Sequence, residues 1–594
     1  MEYGGRRARD VRHECRGGAS GRAAVPTVPT FRQRRSAGRR DRLLPGRVGS
    51  GPFRGIRFSE SECLMDVKPD VHQVLSGLAE QLRTRWPVPG IAISVVDGSG
   101  ESAFVTAGFA NAESGAPISR RTRFEIGSIS KTFTAFLFGV LADEGKVDLD
   151  AAVADHLPWF APNGGSRAIT VRHLLQHTSG LVAGADALPD AAARGYALRD
   201  ARTWVEPGEL FHYSNEGYNL LGLIVEQVTG QSTADAMTER LLRPLGMRDS
   251  AARIVHEEIA ELATGYRFLR DDRPPLPSAP LAPAGFFEYA SADGNVLATA
   301  SDLGRFARML LGRGTLDGAT IVEPERFRQL LTMPADTVGP DYACGVGVET
   351  IDGRTWLTHA GGMVGYRSYL AVDIDGGHGV AVLTNAPGEC QIISRFARHA
   401  LAVVQGAPAD PALFDPERIP DARRYVGVHG TAPRGIRVES VGDDRLSLTS
   451  EGVTGKLYDA GDGRLVCDHP KWSAYHHSWD GRWLYGPESL GPGPSAPTAP
   501  PRALVGRYRS YTPWYPAFDI VQRAGRLHMI AATGVEAPYD EPELVPLDDE
   551  TFRVGADPRL PERLTAGPAP DGAVLWVDVD GCRYTRSFRD QPES

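Results

Sequence analysis

The chain has 594 residues, of which 42% are apolar and 23% charged, and its net charge is −9. These values are typical of a globular protein with several domains and a sizeable core. The acidic balance argues against nucleic acid as the main partner, and no apolar run approaches the length of about 18 residues that indicates a membrane span. Its six cysteines lie far apart without a Cys-x-x-Cys pair, so we expect neither a zinc site nor a disulfide framework. The function inferred below also requires no cofactor.

Residues 1–64 contain 15 arginines and six acidic residues, and they show neither a helical nor a strand period. Such a segment is expected to be disordered. It is either a basic arm for nucleic acid or, as we favour, upstream sequence read through from a wrong start, with Met65 as the true first residue. It contains no apolar stretch of the kind that a secretory signal needs, which favours a cytoplasmic location.

Past this segment, the apolar spacing predicts a helix from Val71 to Trp86, where Pro87 stops it. Two apolar strands around Asp97-Gly98 predict a β-hairpin. The stretch 124–133 follows, and its apolar continuation predicts a buried helix.

Ser128 and Lys131 lie three residues apart in this stretch, which places both side chains on one helix face. A serine hydroxyl becomes a good nucleophile when a neighbouring base takes its proton. Lysine can be that base when it is desolvated, whereas arginine cannot, and only five of the 65 basic residues are lysines. Taken alone, the spacing is equally compatible with a surface lysine beside a helix-capping serine.

A short helix is predicted between Thr170 as N-cap and Gly180 as C-cap. His173 and His177 on it have the spacing of two metal ligands, but no third ligand is evident, so capping or packing roles are favoured. Tyr213 and Asn215 then precede an apolar helix beginning near Leu220. A tyrosine there can relay a proton and an amide can bind a substrate carbonyl, or the two residues simply pack and cap.

A loop over residues 281–300 and a helix over 301–311 lead into an antiparallel meander over 345–384. His359 is expected where one of these strands ends, and it can donate to a substrate oxygen. The bare amides of Gly361 and Gly362 can approach an oxyanion closely. A strand-end histidine with an ordinary glycine turn is the structural alternative.

Residues 406–420, rich in Pro, Ala and Asp, predict a linker. Beyond it, 421–490 and 502–590 look like a diverged repeat of short alternating strands, separated by residues 491–500. Two small antiparallel barrels are therefore expected. Their aromatic stretches at 472–477 and 508–515 are predicted to form barrel core, with covering of an active site as the alternative.

The motifs at Ser128–Lys131, Tyr213–Asn215 and His359–Gly361 follow each other as in the serine β-lactamase and penicillin-binding-protein superfamily. The chain resembles most the class C β-lactamases and the related D-aminopeptidases and esterases, over residues from about 75 to 400. The resemblance implies an α/β (α+β) catalytic domain over 65–405, with an antiparallel sheet flanked by helices. The two barrel domains then follow, as in D-aminopeptidases of the same superfamily.

The same resemblance implies roles for individual residues. Ser128 is the acylated nucleophile, Lys131 its base and Tyr213 the proton relay, and the amides of Ser128 and Gly362 form the oxyanion hole. Many β-lactamases have lysine at the position of His359, which argues against strong β-lactamase activity.

The expected function is therefore a serine hydrolase of D-amino-acid amides, short peptides or small esters. A carboxylesterase, a weak β-lactamase and a catalytically silent sensor remain open, and the sequence does not predict an oligomeric state.

Overall fold

The structure is a computed structural model that describes residues 70–587 apart from 185–190, 200, 389, 432–434, 462, 492–502, 536–537, 539 and 571. The predicted basic segment 1–64 and nearly all of the separator 491–500 lie outside the described residues. Within the described ranges, no helix is both long and apolar enough to cross a membrane.

Ten α-helices are found in the described residues, and all of them precede residue 405. They are α1 (Val71–Arg85), α2 (Ile129–Asp143), α3 (Val153–His156), α4 (Val171–Leu175), α5 (Ala191–Ala197), α6 (Asn215–Thr229), α7 (Thr233–Met237), α8 (Ala300–Leu311), α9 (Pro324–Leu330) and α10 (Cys390–Val404). The predicted helices at 71–86 and 301–311 are confirmed within one residue. The one predicted over 170–180 ends early, at Leu175, because His177 takes a left-handed backbone conformation with φ 57°.

The same part of the chain has thirteen strands. They are β1 (Gly90–Asp97), β2 (Glu101–Asn111), β3 (Ala116–Pro117), β4 (Phe124–Glu125), β5 (Tyr266–Phe268), β6 (Leu281–Pro283), β7 (Leu297–Ala298), β8 (Thr315–Leu316), β9 (Ala319–Thr320), β10 (Gly347–Ile351), β11 (Arg354–Met363), β12 (Tyr366–Asp373) and β13 (His378–Thr384). Seven of them form the main sheet in the order β10-β11-β12-β13-β1-β2-β3. The predicted hairpin and meander therefore meet, because β1 pairs antiparallel with β13.

Helices cover both faces of this sheet, and alternate residues of β1 pack against different helices. Ile91, Ile93 and Val95 pack with residues of α1 and α10, whereas Ala92 and Val96 pack with residues of α2 and α8. Because alternate residues of a strand point to opposite faces, a strand buried on both sides is apolar nearly throughout. The predicted antiparallel sheet flanked by helices is confirmed.

The remaining strands form two C-terminal sheets of eight strands each. The first contains β14 (Gly427–His429), β15 (Ile436–Ser440), β16 (Leu446–Ser450), β17 (Val453–Gly461), β18 (Arg464–Cys467), β19 (His477–Trp479), β20 (Trp483–Tyr485) and β21 (Glu488–Leu490). The second is a closed barrel of β22 (Gly506–Arg509), β23 (Ala517–Arg523), β24 (Arg526–Ile530), β25 (Glu543–Pro546), β26 (Thr551–Val554), β27 (Arg563–Ala566), β28 (Trp576–Val579) and β29 (Cys582–Arg586).

The predicted barrel-like C-terminal architecture is thus confirmed. The two ranges predicted to be a repeat, 421–490 and 502–590, each contain one of these sheets, and Gly427 and Gly506 open the first strand of each.

The segment 406–420 contains no helix or strand, but it does more than link two domains. Phe414 is 2% exposed and stacks on Phe396 of α10, with ring centroids 5.5 Å apart. The Phe414 carbonyl also accepts a hydrogen bond from the indole of Trp86 at 3.1 Å. The end of the predicted linker is therefore part of the packing around the main sheet.

Candidate active site

Ser128 is the N-cap residue of α2 and follows the short buried strand β4. Strand β4 pairs with β7, and Gly127 turns the chain with φ 54°. A methyl group on Gly127 would lie 2.6–2.8 Å from backbone atoms of Gly362, so only glycine fits this position. Ser128 itself is half-buried and lines a cleft, and its N–H donates to no acceptor among the described residues.

Lys131 follows one turn later and is fully buried. Its Nζ lies 3.1 Å from Ser128 Oγ and donates to the carbonyl of Asp293 at 2.9 Å. No carboxylate in the described ranges pairs with it. A buried amine without a counterion, next to a hydroxyl, is arranged for proton exchange more than for an ion pair.

The carbonyl that holds Lys131 belongs to a buried polar network. Arg194 on α5 pairs with Glu216 on α6 at 2.8 Å and donates to the hydroxyl of Tyr289 at 3.1 Å. That hydroxyl donates to the carboxylate of Asp293. Asn219 and Ser291 complete the connection between Glu216 and Asp293. The network fixes residue 293 and, through its carbonyl, the position of the lysine amine.

Tyr213 lies on the loop before α6, half-buried in the cleft wall. Its ring is 4.9 Å from Lys131 Nζ and 4.2 Å from the ring of His177, centroid to centroid for the two rings. His177 holds the loop on both sides of the tyrosine: its carbonyl accepts from the N–H of His212 at 2.7 Å and its Nδ1 from the N–H of Ser214 at 3.0 Å. Burial, with the Lys131 charge adding to it, holds the pKa of His177 well below its usual value, so the imidazole stays neutral and can accept.

The two histidines considered as metal ligands, His173 and His177, thus have structural roles. His177 packs beneath Tyr213, and His173 caps α4, with its Nδ1 3.1 Å from the N–H of Thr170. In the described part of the chain, no cluster of histidine, cysteine and carboxylate side chains has the arrangement of a metal site.

His359 lies within β11 and not at a strand end, so the predicted position is wrong: Gly361 and Gly362 continue the strand, opposite Ser368 and Arg367. Burial lowers the pKa of its imidazole to about 4, and the Lys131 charge adds to the effect.

The hydrogen bonds of His359 fix the tautomer of the ring. Its Nδ1 lies 2.7 Å from the carbonyl of Ala360, which can only accept, so Nδ1 carries the proton. Nε2 therefore accepts from the hydroxyl of Tyr342 at 2.9 Å. In this arrangement the ring offers no free donor to a substrate.

Gly361 and Gly362 pack against the backbone of Ile126 and Gly127, just before Ser128. A methyl group on Gly361 would lie 1.9 Å from the carbonyl of Ile126, so the strand can approach β4 only with glycine here. This contact, with that between Gly127 and Gly362, brings the Gly362 backbone beside Ser128. Asn215, the first residue of α6, lines the same cleft and is 7% exposed. Its neighbour Ser214, and not Asn215, caps the helix.

The cleft has a volume of about 880 Å³ and includes Ser128, Tyr213, Asn215, His359 and Gly362 among its lining residues. The closed C-terminal barrel supplies another part of the cleft wall. Its lining side chains include Tyr515, Met529, Val535, Val554, Glu562, Asp580 and Tyr584. Several of these also belong to the apolar core of the barrel, so the aromatic stretch around Tyr515 serves as both core and cleft wall.

Glu562 ties this wall to the loop that carries Tyr213. One carboxylate oxygen, Oε1, lies 2.6 Å from His212 Nε2 and accepts from the N–H of Ala183 at 3.1 Å. Burial raises the pKa of the nearby Asp580 to about 8, and the Glu562 charge contributes. The Asp580 carboxyl group therefore keeps its proton at neutral pH, and Glu562 is the residue of this wall that can offer a carboxylate to a substrate.

Sequence reasoning missed the network around Arg194 and the contribution of Glu562. One signal for the network was visible, since Glu216 is an acidic residue at the start of an otherwise apolar helix. No local pattern marks Glu562, because it reaches the cleft through the packing of a separate barrel.

Comparison with known proteins identifies the family. A family model described as Beta-lactamase matches residues 75–402. The chain is 32% identical to Penicillin-binding protein 4 of Amycolatopsis lactamdurans, over 60% of this chain and 96% of that protein.

Two solved structures are similar to this chain. One is the octameric penicillin-binding protein homologue from Pyrococcus abyssi, with TM-score 0.54 and 25% identity over 78% of this chain and 98% of that one. The other is the D-amino acid amidase from Ochrobactrum anthropi SV3 complexed with D-phenylalanine, with TM-score 0.49 and 22% identity over 57% of this chain and 99% of that one.

Proposed function

The chain belongs to the Beta-lactamase family, and we propose that it hydrolyses its substrate through an acyl-enzyme on Ser128. The observation that carries the proposal is the position of Lys131, whose buried amine lies 3.1 Å from the Ser128 hydroxyl with no carboxylate partner in the described ranges. The base in this step is the neutral form of the amine, which takes the hydroxyl proton while Ser128 Oγ attacks the substrate carbonyl.

Tyr213 and two backbone amides complete the proposed machinery. The tyrosine passes a proton to the leaving group and then helps to activate the water that releases the acyl group. The N–H groups of Ser128 and Gly362 stabilise the oxyanion of the tetrahedral intermediate. Asn215, which lines the same cleft, orients the substrate through its side-chain amide. His359, neutral and bonded to Tyr342, holds the wall of the site and supplies no positive charge.

For the substrate, we propose D-amino-acid amides or short peptides with a free amine, ahead of small neutral esters and β-lactams. The position of Glu562 in the cleft wall supports this choice. Glu562 uses Oε1 for its protein contacts, and its other oxygen, Oε2, has no partner among the described residues. A substrate ammonium can pair with that oxygen. The neutral His359 gives a β-lactam carboxylate no cation.

Labelling with a fluorophosphonate, followed by peptide mapping, tests the nucleophile. The full-length chain should be labelled at Ser128, and Ser128→Ala should abolish labelling while leaving the melting temperature nearly unchanged. Ser99→Ala, at an exposed turn, is the matched control and should label normally. Label that maps to Ser130 or Ser179, or that persists in Ser128→Ala, contradicts the assignment.

The substrate class is tested separately with D-alanine p-nitroanilide and p-nitrophenyl acetate. Glu562→Gln keeps an oxygen for the N–H of Ala183 but removes the charge. It should lower kcat/KM for the amine-bearing anilide by about 10- to 100-fold, the range for a lost charge-assisted hydrogen bond, and leave the ester nearly unchanged. An equal loss for both substrates would mean that Glu562 only supports the site.

A further inference from the structure

A second cavity lies beside the catalytic cleft, in the region where the main sheet meets both C-terminal sheets. Its volume of about 510 Å³ is in the range of small-molecule sites. Residues of the catalytic region form most of the lining, Ala460 and His476 come from the first C-terminal sheet, and residues 510–513 and 532–535 come from the second.

Most of the lining is apolar. Trp86, Phe268, Ile392 and Ile393 offer aromatic and branched side chains to an occupant. Trp86 is held in place by its bond to the Phe414 carbonyl, and Ile393 is 2% exposed, so these walls are preformed. A ligand with a compact apolar body therefore finds most of its contacts here without rearrangement.

One charged group interrupts this lining. Arg367, the second residue of β12, is 6% exposed and lines the cavity. Its Nε donates to the carbonyl of Gly388, and one terminal nitrogen, NH1, donates to those of Met363 and Tyr366 at 2.9 and 2.8 Å. The other terminal nitrogen, NH2, has no partner, and no carboxylate neutralises the guanidinium, among the residues that the structure describes.

The other charges around the cavity do not cancel this one. Asp271 is the single carboxylate among the described lining residues, and it is paired with Arg509 at 2.7 Å. The exposed Arg267 adds a second positive charge to the lining. Burial holds the pKa of His476 well below its usual value, so this ring is neutral. A buried cation without a counterion is costly, and an anionic ligand removes that cost.

From these observations we propose that this cavity is a binding site for a small monocarboxylate with an aromatic or branched aliphatic body. The carboxylate accepts hydrogen bonds from the free terminal nitrogen of Arg367, and the apolar body packs against Trp86, Phe268 and Ile392. The site is separate from the catalytic cleft, and its occupancy does not depend on the chemistry proposed for Ser128.

The two sites share a wall. Val535 lines both cavities, and a methyl group on Gly362 would lie 3.2 Å from Val535 Cγ1 and 3.6 Å from Arg367 NH1. A carboxylate bound at Arg367 therefore lies one side chain away from the backbone beside Ser128.

Isothermal titration calorimetry of the full-length chain with phenylbutyrate tests the proposal, with phenylbutyramide as the neutral analogue. The carboxylate should bind at least tenfold more tightly than the amide, since a bond to a charged partner is lost in the amide. Arg367→Met should weaken phenylbutyrate by at least the same factor and leave the amide unchanged. Equal affinities of acid and amide would overturn the role of Arg367, and no binding of either would overturn the site.

Two further variants locate the ligand and do not depend on Arg367, whose carbonyl contacts also support the fold. Ala460→Trp fills the second cavity from the first C-terminal sheet and should abolish binding. Gly184→Trp places the same bulk in the catalytic cleft and should leave phenylbutyrate binding unchanged. The reverse pattern, with binding lost in Gly184→Trp and kept in Ala460→Trp, would place the acid in the catalytic cleft and refute the second site.

Discussion

A buried carboxyl group three residues before the nucleophile gives the chain a pH-dependent stability that one substitution should remove. Glu125 lies in β4 between the fully buried Phe124 and Ile126 and is 5% exposed. No hydrogen bond or ion pair to its carboxyl group is found among the described residues. Burial alone raises the pKa of Glu125 to about 8 from 4.5.

The sign follows from where the proton is held. Between pH 4.5 and about 8 the folded chain keeps the Glu125 proton and the unfolded chain has released it, so the free energy of unfolding falls as pH rises. At about 1.4 kcal/mol per pH unit, the loss by pH 7 is of the order of 3 kcal/mol. Glutamine has the shape of the protonated acid and does not ionise, so Glu125→Gln should remove this loss.

Thermal melting from pH 5 to pH 8.5 measures the difference. The two proteins should melt together near pH 5, and by pH 7 Glu125→Gln should melt higher by about 4 °C, as expected for 3 kcal/mol in a catalytic region of this size. Glu257→Gln, at an exposed position, should follow the wild-type curve throughout. Parallel curves for Glu125→Gln and the wild type would show that the carboxyl group is hydrated or paired, and would refute the reasoning.

Three other outcomes follow from the site. Lys131→Arg should lose fluorophosphonate labelling as completely as Lys131→Ala, because a guanidinium does not accept the serine proton; a retained labelling rate would reduce Lys131 to a fixed charge. Glu216→Gln breaks the buried pair with Arg194 and should cost about 3–5 kcal/mol, seen as a lower melting temperature, and an unchanged melting temperature would show that the network does not stabilise the fold. A chain ending at residue 420, which keeps Phe414, should still be labelled at Ser128 but should prefer anilide over ester less strongly than the full-length chain. Loss of labelling in that folded, shortened chain would place a required group in the C-terminal sheets.

The features that the sequence predicts well are those that depend on a short, continuous stretch of residues. The apolar run after Ser128 predicts α2, of which 13 residues are buried, and the turn at Asp97-Gly98 predicts the β1–β2 hairpin. The serine–lysine spacing needs only one helical turn to bring the two side chains within 3.1 Å. Such local patterns survive in the folded chain because tertiary contacts reinforce them.

The features that sequence did not predict depend on contacts between distant segments. The sequence predicts that the stretch around His359 lies where a strand ends, yet Gly361 continues β11, where only glycine allows the close approach to Ile126. The Tyr342 hydroxyl that donates to His359 Nε2 lies outside every motif. Glu562 meets His212 across 350 positions of sequence.

The wall that the second barrel contributes has a consequence for how substrate preference can change. Met529 and Val554 belong to the apolar core of the barrel and also line the catalytic cleft. A substitution at either position alters the packing of the barrel and the shape of the cleft together, so its effects on stability and on substrate choice are coupled. Glu562 lies on the same wall outside that apolar core. A substitution there changes the charge offered to a substrate without opening a cavity in the barrel, so we expect Glu562, and not the apolar positions, to be where specificity can be changed at least cost in stability.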